Sequence, residues 1–335
     1  MSIITLFDTS VCSSNLGDQI IIDAVKKNLD YLFKDSLIIH LPTHDRVSKT
    51  SYQYLRKSNF AFVGGTNLLS SNMNRYNQWK IDLRDLLFLE NIILLGVGWW
   101  QYQQKPNFYT SFLLNNVLSK TYIHSVRDSY TEQQLRAIGI TNVINTSCPT
   151  VWSLTSNHCR DIPQKKADSV LVTFTEYNQN LAYDSQLFNL LQQKYQNIYF
   201  WTQQPKDYQY VRQFCNTNVQ YIAPKLKALD TLLESNNNID YIGTRLHAGI
   251  RALQYKKRTL ILSVDNRATE ISKDTHLPVI DRGNLQAINE WINSKYKTEI
   301  IVPHKNIEIW RNQFVRKYED ISNVCASSKL SVLKA

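Results

Sequence analysis

The alternation of short apolar runs with longer segments of helical periodicity restricts the fold more than any other feature of this sequence. Near-continuous apolar strands that are each followed by a helix indicate parallel sheets covered by helices on both faces. The runs that we predict to be strands are Ile3–Phe7, Leu37–Leu41, Phe60–Val63, Ile92–Val97, Tyr122–Val126, Val143–Thr146, Ser169–Thr175, Ile198–Thr202, Val219–Ile222, Ile239–Ile242, Thr259–Val264 and Pro278–Ile280. The predicted helices between them include Asp18–Phe33, Tyr130–Ile138, Asp184–Tyr195, Leu226–Glu234 and Leu246–Gln254.

One stretch interrupts this pattern. Residues 153–168 are polar, lack periodicity and end with a proline and a run of charges, so we predict an interdomain linker there. The N-terminal Rossmann-like domain is then expected at 1–152 and the C-terminal one at 169–303. Residues 304–335 are predicted to form a helix and tail, because apolar residues follow a helical spacing at Ile307, Trp310, Phe314 and Tyr318. Two doubly wound α/β domains that face each other across a cleft, with a C-terminal helix, resemble the GT-B architecture.

The charge of the chain favours anionic ligands but not nucleic acid. The 38 basic and 28 acidic residues give a net charge of +10, and a basic surface concentrates anions near it. The longest basic cluster, Lys256–Arg258, has no interleaved aromatic residues of the kind that stack on bases. We therefore expect no nucleic-acid partner.

Cysteine and histidine patterns give no indication of a metal site. The five cysteines, at positions 12, 148, 159, 215 and 325, lack metal-ligand spacing, and such a scattered set is typical of reduced cytosolic thiols. No HExxH motif occurs, and no apolar run approaches the ~20 residues that a membrane span needs. The segment Met1–Asp8 reaches a polar loop too soon for a signal peptide. We expect a soluble, cytoplasmic protein without a metal or other cofactor.

Glycine is rare, so its positions are informative. Six of the nine glycines follow predicted strands, where backbone can approach a ligand closely or simply make a tight turn. These glycines are Gly17, Gly64, Gly65, Gly96, Gly98 and Gly243. Both interpretations, ligand contact and a tight turn, remain open. Ligand contact is the one that would bear on function for the Gly64–Gly65 and Gly96–Gly98 pairs.

The strongest candidate site is the segment from Asp240 to Ala248. A predicted buried strand ends at Gly243, and Thr244, Arg245 and His247 then open an otherwise apolar helix. Helix N-termini bind anions, a guanidinium grips carboxylate or phosphate with two hydrogen bonds, and an imidazole transfers protons near neutral pH. A capping Thr244, a solvated Arg245 and a core His247 form the structural alternative.

Arg127 lies at a second junction between a strand and a helix. Asp128 or Ser129 is expected to cap that helix, with Glu132 placed for a capping box relative to Ser129. Capping gives no reason for a cation at Arg127, so a second anion contact is a competing interpretation.

The first long helix begins with Asn15-Leu-Gly-Asp18. Glycine spacing here fits neither a dinucleotide fingerprint nor a P-loop. Asp18 is expected to act as a cap, or else to orient a sugar hydroxyl or serve as a base. Further polar groups follow a later strand at Ser263, Asp265 and Arg267.

These motifs, taken in order, resemble the polysaccharide pyruvyltransferase family over roughly residues 10–275. The matching segments are Asn15-Leu-Gly-Asp18, Val63-Gly-Gly-Thr-Asn-Leu-Leu69, Gly96-Val-Gly98, Val126-Arg-Asp128, Cys148-Pro149 and Ile242-Gly-Thr-Arg-Leu-His-Ala248. The last of them is the most specific. The resemblance implies a GT-B-like fold and transfer of a pyruvyl group from phosphoenolpyruvate, as co-substrate, to sugar hydroxyls as a ketal.

The resemblance also implies roles for individual residues. It assigns catalysis to Arg127, Arg245 and His247. The expected donor-binding residues are Gly243, Thr244, Ser263 and Arg267. The expected acceptor-binding residues are Asn15, Asp18, Gly64, Gly65, Thr66 and Asn67. The acceptor side is expected on the N-terminal domain and the donor side on the C-terminal one. A lipid-linked oligosaccharide at the inner membrane face, reached by peripheral association, would suit the basic surface.

Two positions depart from the family pattern. Many members carry a third glycine where Thr66 stands, and Asp-Pro-Ala where this chain has Cys148-Pro149-Thr150. The second change removes an acidic group. A GT-B-type glycosyltransferase with a nucleotide-sugar donor is the main alternative, with a carboxylate base at Asp18 or Asp128, and a non-enzymatic carbohydrate-binding role is the third.

Overall fold

Two parallel six-stranded sheets form the framework of the computed structural model, which describes residues 2–215 and 219–315. The first sheet contains β1 (Ser2–Asp8), β2 (Ser36–Pro42), β3 (Phe60–Leu69), β4 (Ile92–Trp99), β5 (His124–Val126) and β6 (Val143–Asn145). The second contains β7 (Ser169–Thr173), β8 (Asn197–Trp201), β9 (Val219–Ile222), β10 (Ile239–Gly243), β11 (Thr259–Ser263) and β12 (Val279–Asp281). The predicted α/β fold with two doubly wound sheets is confirmed.

Helices cover the faces of both sheets. Those of the first half are α1 (Leu16–Leu32), α2 (Lys49–Lys57), α3 (Phe108–Val117) and α4 (Ser129–Arg136). They are followed by α5 (Ser156–Arg160), α6 (Leu181–Lys194), α7 (Pro205–Val211), α8 (Leu226–Ser235), α9 (Leu246–Gln254), α10 (Asn266–Thr275) and α11 (Leu285–Asn293). Residues 304–315 form a further helix, α12. Every described helix is too short or too polar to cross a bilayer.

The strand order places a ligand-binding position in each sheet. The first sheet has the order β2-β1-β3-β4-β5-β6, so its winding reverses between β1 and β3. The second has the order β9-β8-β7-β10-β11-β12 and reverses between β7 and β10. In open α/β sheets, ligands bind outside the carboxyl ends of the strands where the order reverses. The loops after these four strands are therefore the place to look for a site.

The glycine pairs lie inside strands rather than after them. β3 continues through Gly64 and Gly65 to Leu69, and β4 continues through Gly96 and Gly98 to Trp99. A Cβ atom on Gly64 would lie 3.1 Å from Ile22, and one on Gly65 would lie 2.9 Å from Ile21, both on α1. The expectation that these four glycines follow their strands was therefore wrong. Close packing of α1 on β3 accounts for Gly64 and Gly65.

The segment that joins the two sheets is part of the core. Residues 153–168 include α5, and Leu154, Cys159 and Ile162 are buried in a cluster that contains residues from both sheets. The sequence pattern did not predict α5, because a helix of five residues is too short to show a period.

Helix α12 returns the end of the described chain to the first sheet. Trp310 and Phe314 are buried, with ring centroids 6.1 Å and 5.4 Å from that of Phe62 on β3. Ile307 is buried in the same core. The remainder of the predicted terminal helix, with Tyr318, lies outside the described residues. Because α12 follows the second sheet but packs on the first, it ties the two halves together.

Candidate active site

A cleft of about 1240 Å³ separates the carboxyl edges of the two sheets. Its walls come from loops after strands of both sheets, including the four strands at which the order reverses. The first half contributes Cys12–Asn15, Asp18, His44, Thr66, Asn67, Tyr76, Gln78 and Trp100–Tyr102. The second contributes Glu176–Asn178, Tyr183, Gln204, Arg245, Ser263–Arg267, Thr269 and Asp281–Gly283.

Asp18 is a cleft carboxyl and not a helix cap. Asn15 is the residue that caps α1, since its Oδ1 accepts a hydrogen bond from the Gly17 backbone N–H at 3.0 Å. Asp18 instead accepts a hydrogen bond from Ser13 at 2.6 Å and lies 3.9 Å from His44 Nε2. Burial raises the pKa of Asp18 to about 6, and the Ser13 hydrogen bond offsets only part of that effect. The carboxyl therefore changes its charge close to neutral pH.

His44 faces the same point in the cleft as Asp18. Its Nδ1 lies 3.2 Å from the carbonyl oxygen of Gln78, and a carbonyl can only accept. Nδ1 therefore carries the proton in the neutral ring, and Nε2 turns a lone pair towards Asp18. His44 Nε2 and the Asp18 carboxylate therefore present two hydrogen-bond acceptors to the cleft, which suit two separate hydroxyls.

Two buried amide side chains add acceptor groups to the wall. The Oδ1 atoms of Asn67 and Asn266 have no hydrogen-bond partner within the described chain, and both residues line the cleft. Beside Asn67, Thr66 has φ +95°, a backbone conformation that favours glycine. A strained non-glycine residue at a cleft wall is typical of a functional site.

Two side chains fix the position of Arg245. They are Asp207 of α7 and Gln204, which directly precedes that helix. Its Nε donates to Asp207 Oδ2 at 3.1 Å, and its Nη2 donates to Asp207 Oδ1 and to Gln204 at 2.7 Å. The guanidinium also lies over the Tyr177 ring, 5.0 Å from its centroid. These contacts orient Arg245 and leave Nη1 as the nitrogen available to a ligand.

Arg267 is a second positioned cation on the same wall. Its guanidinium pairs with Asp265 at 2.6 Å and donates to the Tyr177 hydroxyl. Burial, together with the charge of Arg127, lowers the pKa of Arg267 to about 10. Arg267 is therefore still positively charged at neutral pH.

Arg127 is almost completely buried, at 1% exposure, yet most of its donors are unused. Nε donates to Asp128 Oδ2 at 3.1 Å. Nη1 and Nη2 have no hydrogen-bond partner among residues 2–215 and 219–315. The guanidinium lies against Gly98, where any side chain would collide with it. A buried guanidinium with two free nitrogens is unfavourable on its own and well suited to bind an anion.

His247 is buried beside Arg127, at 5% exposure. Its Nε2 lies 3.9 Å from the Cys148 thiol, which accepts a hydrogen bond from Thr150 at 3.1 Å. Burial, and secondarily the charge of Arg127, lowers the pKa of His247 to about 3. The expectation of an imidazole that titrates near neutral pH is therefore wrong for the ligand-free protein, in which His247 is neutral.

The N-terminus of α9 points backbone donors towards the same region. No side chain in the described chain caps α9, whereas Asn15 caps α1 and Asp265 caps α10. Thr244 does not cap the helix. Its hydroxyl donates to the Thr173 carbonyl at 3.4 Å instead. Uncapped N–H groups and the positive end of the helix dipole favour an anion there.

The structure brings most of the predicted site residues to one cleft. Asn15, Asp18, Thr66, Asn67, Arg245, Ser263 and Arg267 line it. Arg127 and His247 are buried and are not among its lining residues, although the charge of Arg127 acts on Arg267, Asp265 and His247. Four glycine or threonine positions do not line it. These are Gly64, Gly65, Gly243 and Thr244. Gly243 is needed because Thr173 on the neighbouring strand leaves no room for a Cβ.

Three residues with clear contacts in the site were missed from the sequence. His44 follows β2 and Tyr177 follows β7, so the strand-end rule applied to every strand would have found both. Asp207 lies in α7, and no local pattern indicates that it pairs with Arg245. Within the described residues, no group of three or more His, Cys, Asp or Glu side chains is placed to hold a metal ion.

Comparisons with known proteins agree with this architecture. The family model described as polysaccharide pyruvyl transferase matches residues 15–266. The structure of UDP-N-acetylglucosamine 2-epimerase from Rickettsia bellii aligns with a TM-score of 0.52 at 13% identity, covering 96% of this chain and 98% of that one. At this identity the likeness concerns the fold alone.

Two structures of the wall teichoic acid polymerase TagF, one of them a variant, also align, both at 10% identity. The variant has a TM-score of 0.43 and covers 96% of this chain and 90% of its own. The other has a TM-score of 0.41 and covers 93% and 83%. No curated protein sequence matches the chain.

Proposed function

The chain belongs to the polysaccharide pyruvyl transferase family, and we propose that it transfers the pyruvyl group of phosphoenolpyruvate to two hydroxyls of one sugar as a ketal. Family membership makes the chain a polysaccharide-modifying transferase. The proposal adds the donor, the product and the acceptor, which is a sugar of the polysaccharide or of its lipid-linked precursor.

The unused donors of Arg127 are the observation that supports this donor most. Phosphoenolpyruvate carries a phosphate and a carboxylate on a three-carbon skeleton, so it needs several cationic groups within a small space. Arg127 offers Nη1 and Nη2, Arg245 offers Nη1, and the uncapped N-terminus of α9 adds backbone donors. A small dianion would satisfy donors that otherwise remain unpaired in the interior.

The proposed reaction has two steps, and each proton can be followed through them. One acceptor hydroxyl adds to C2 of phosphoenolpyruvate while C3 gains a proton and becomes a methyl group. The second hydroxyl then displaces phosphate from C2 to close the ketal. One of the two hydroxyl protons balances the proton on C3, and the other leaves with the phosphate. Arg127 and Arg245 hold the anionic groups, and His247 supplies the proton to C3 once the bound dianion has raised its pKa.

Asp18 is the proposed base for the acceptor hydroxyl. A pKa of about 6 leaves it mostly ionised at neutral pH and still basic enough to accept a proton. His44 Nε2, 3.9 Å from the Asp18 carboxyl, offers an acceptor for a neighbouring hydroxyl of the same sugar. The free amide oxygens of Asn67 and Asn266 offer acceptors for other hydroxyls of the same sugar.

Ligand-induced stabilisation tests the donor. Phosphoenolpyruvate should raise the Tm of the full chain by several degrees, since a ligand at 100 times its Kd contributes about 2.7 kcal/mol. UDP-, GDP- and CMP-sugars should have little effect, and release of inorganic phosphate from phosphoenolpyruvate should require a sugar acceptor. Stabilisation by a nucleotide sugar, with none by phosphoenolpyruvate, would instead support the glycosyltransferase alternative.

The pH profile tests the role of Asp18. Because its pKa is raised to about 6, the carboxylate is lost as the pH falls below that value, and the rate at saturating donor should fall tenfold per pH unit there. Asp18→Asn should remove this acidic limb and lower kcat by about 10²-fold. Asp30→Asn, at an exposed position of the same helix, is the matched control and should keep the wild-type profile. An acidic limb that persists unchanged in Asp18→Asn would assign it to another group.

A further inference from the structure

A second cavity of about 580 Å³ adjoins the cleft on the side of β8 and β9. Residues after these two strands form most of it, and the start of α1 closes it from the first half of the chain. The described residues that line it are Ser14, Leu16, Thr202–Pro205, Tyr208 and Tyr221–Pro224. Ser14 and Gln204 line both cavities, so the groove is continuous with the cleft.

Two exposed aromatic rings dominate the groove. Tyr208 and Tyr221 are 41% and 45% exposed, and their ring centroids lie 5.3 Å apart in an edge-to-face arrangement. Such rings offer flat apolar surfaces. The Tyr221 hydroxyl donates to Cys215 Sγ at 4.0 Å, which helps to orient its ring. Pro205, Ile222 and Pro224 extend the apolar surface between them.

The groove also contains an unused polar atom. Gln203 is 4% exposed, and its Oε1 has no hydrogen-bond partner in the described part of the chain. Its Nε2 is occupied, because it donates to Asn15 Oδ1 at 2.8 Å across the boundary between the two halves. The free Oε1 is therefore an acceptor held in place at the wall of the groove, beside the start of α1.

We propose that this groove is a subsite for a second, neutral sugar ring of the acceptor chain, next to the sugar that is modified in the cleft. The inference rests on the proposed function, because it assumes that the cleft holds a sugar acceptor. One ring face packs on Tyr208 or Tyr221, and a hydroxyl donates to Gln203 Oε1. The enzyme therefore selects a saccharide of at least two units.

The charge of the groove favours a sugar over a nucleotide. None of its described lining residues is Lys, Arg, Asp or Glu, and the residues shared with the cleft, Ser14 and Gln204, are neutral. A nucleotide-sugar donor with its base in the groove would have to place its diphosphate near this connection, where Arg245 already has Nε and Nη2 paired with Asp207 and Gln204 and offers only Nη1. A neutral ring meets no such penalty. The neutral Gln204 side chain accepts a hydrogen bond from Arg245 Nη2 at 2.7 Å. The groove therefore ends beside the proposed donor site.

The length dependence of acceptor use tests the subsite. The probes are neutral mono-, di- and tetrasaccharides of glucose, galactose and N-acetylglucosamine, with phosphoenolpyruvate as donor and phosphate release as the readout. In Tyr208→Ala, the KM for the tetrasaccharide divided by that for the monosaccharide should rise about tenfold, because only the longer acceptor reaches the ring. Tyr221→Ala should act in the same direction. Tyr54→Ala, 41% exposed on α2 and outside both cavities, should leave the ratio unchanged.

A direct binding measurement separates the two levels of the proposal. Saturation-transfer NMR of the same tetrasaccharide should show contact with the wild-type protein that Tyr208→Ala weakens, whether or not phosphate is released. Normal turnover with an unchanged KM ratio in both tyrosine variants would overturn the subsite and leave the donor intact. Saccharide binding that depends on Tyr208 without any use of phosphoenolpyruvate would retain the subsite and overturn the donor. Loss of UDP-sugar binding in Tyr208→Ala, with saccharide binding unchanged, would assign the groove to a nucleobase.

Discussion

Arg127→Met should lower kcat/KM for phosphoenolpyruvate by about 10²–10⁴-fold and should lower the Tm of the ligand-free protein less than Arg258→Met does. Hydrogen bonds to charged groups contribute roughly 1.5–3 kcal/mol each, and Arg127 has Nη1 and Nη2 free to make two of them. Replacing the guanidinium with an apolar side chain removes a desolvated charge with two unpaired nitrogens, but it also leaves the buried Asp128 carboxyl without its cation. The two effects on stability oppose each other, and Thr131 still donates two hydrogen bonds to Asp128 Oδ1. Steady-state kinetics and thermal unfolding on one preparation measure both effects.

Arg258 provides the matched contrast. It is buried to the same degree, but it pairs with Asp240 at 2.8 Å, donates to the Trp291 carbonyl at 2.5 Å and lies over the Trp291 ring. Arg258→Met leaves Asp240 buried without its cation and should destabilise the protein by about 3–5 kcal/mol. A variant of Arg127 that loses stability as Arg258→Met does, and keeps its affinity for phosphoenolpyruvate, would make Arg127 structural.

The variant Gly98→Ala tests the position of the Arg127 guanidinium without changing any charge. A methyl group at this position overlaps the Arg127 guanidinium, which then has to leave its present position. We expect a loss of phosphoenolpyruvate binding similar in direction to that of Arg127→Met. Agreement between the two variants would place the effect in the position of the guanidinium, since Gly98→Ala retains the cation.

His247→Ala should lower kcat by about 10²–10⁴-fold, the range for loss of a group that transfers a proton. In the ligand-free protein burial and the charge of Arg127 hold the pKa of His247 at about 3, so the ring is neutral between pH 5 and 8. A bound dianion neutralises the charge of Arg127 and stabilises a positive charge on the ring, so the pKa of His247 rises. Phosphoenolpyruvate binding should therefore be accompanied by proton uptake at His247.

Calorimetry in buffers of different ionisation enthalpy measures this uptake. The wild-type protein should take up more protons than His247→Gln on binding phosphoenolpyruvate below pH 7, and comparison of the two cancels the protonation of the donor itself. His247→Gln keeps a hydrogen-bonding side chain, so its Kd should change less than its kcat. Near-full turnover of a folded His247→Ala variant would exclude His247 as the proton donor.

The neighbour of His247 marks how this chain departs from the family pattern. Cys148 Sγ lies 3.9 Å from Nε2 of His247, at a position where the family resemblance implies an aspartate. Burial raises the pKa of the Cys148 thiol, so it remains neutral and brings no negative charge to the imidazole.

The order of elements and the location of the cleft could be read from the sequence. All twelve predicted strands and the five predicted helices are present, because apolar periodicity is a local property that the pleat and the helical turn impose. Asp18, Arg245, Ser263 and Arg267 could be placed at the cleft because they lie at or after the carboxyl ends of strands, and parallel strands bring these ends to one edge. The motif order also identified the family.

Only the tertiary structure decided what each of these residues can do. Arg245 pairs with Asp207, which is 38 positions away, and His247 faces Cys148, which is 99 positions away. Gly64 and Gly65 serve the packing of α1 and not a ligand, although their sequence context is that of a binding loop. Charge states and unpaired donors depend on burial and on distances between remote residues, and neither quantity is encoded in local spacing. The sequence therefore located the edge of the sheets at which the site forms and several of its residues, and the packing around them determined which remain free to bind and which titrate.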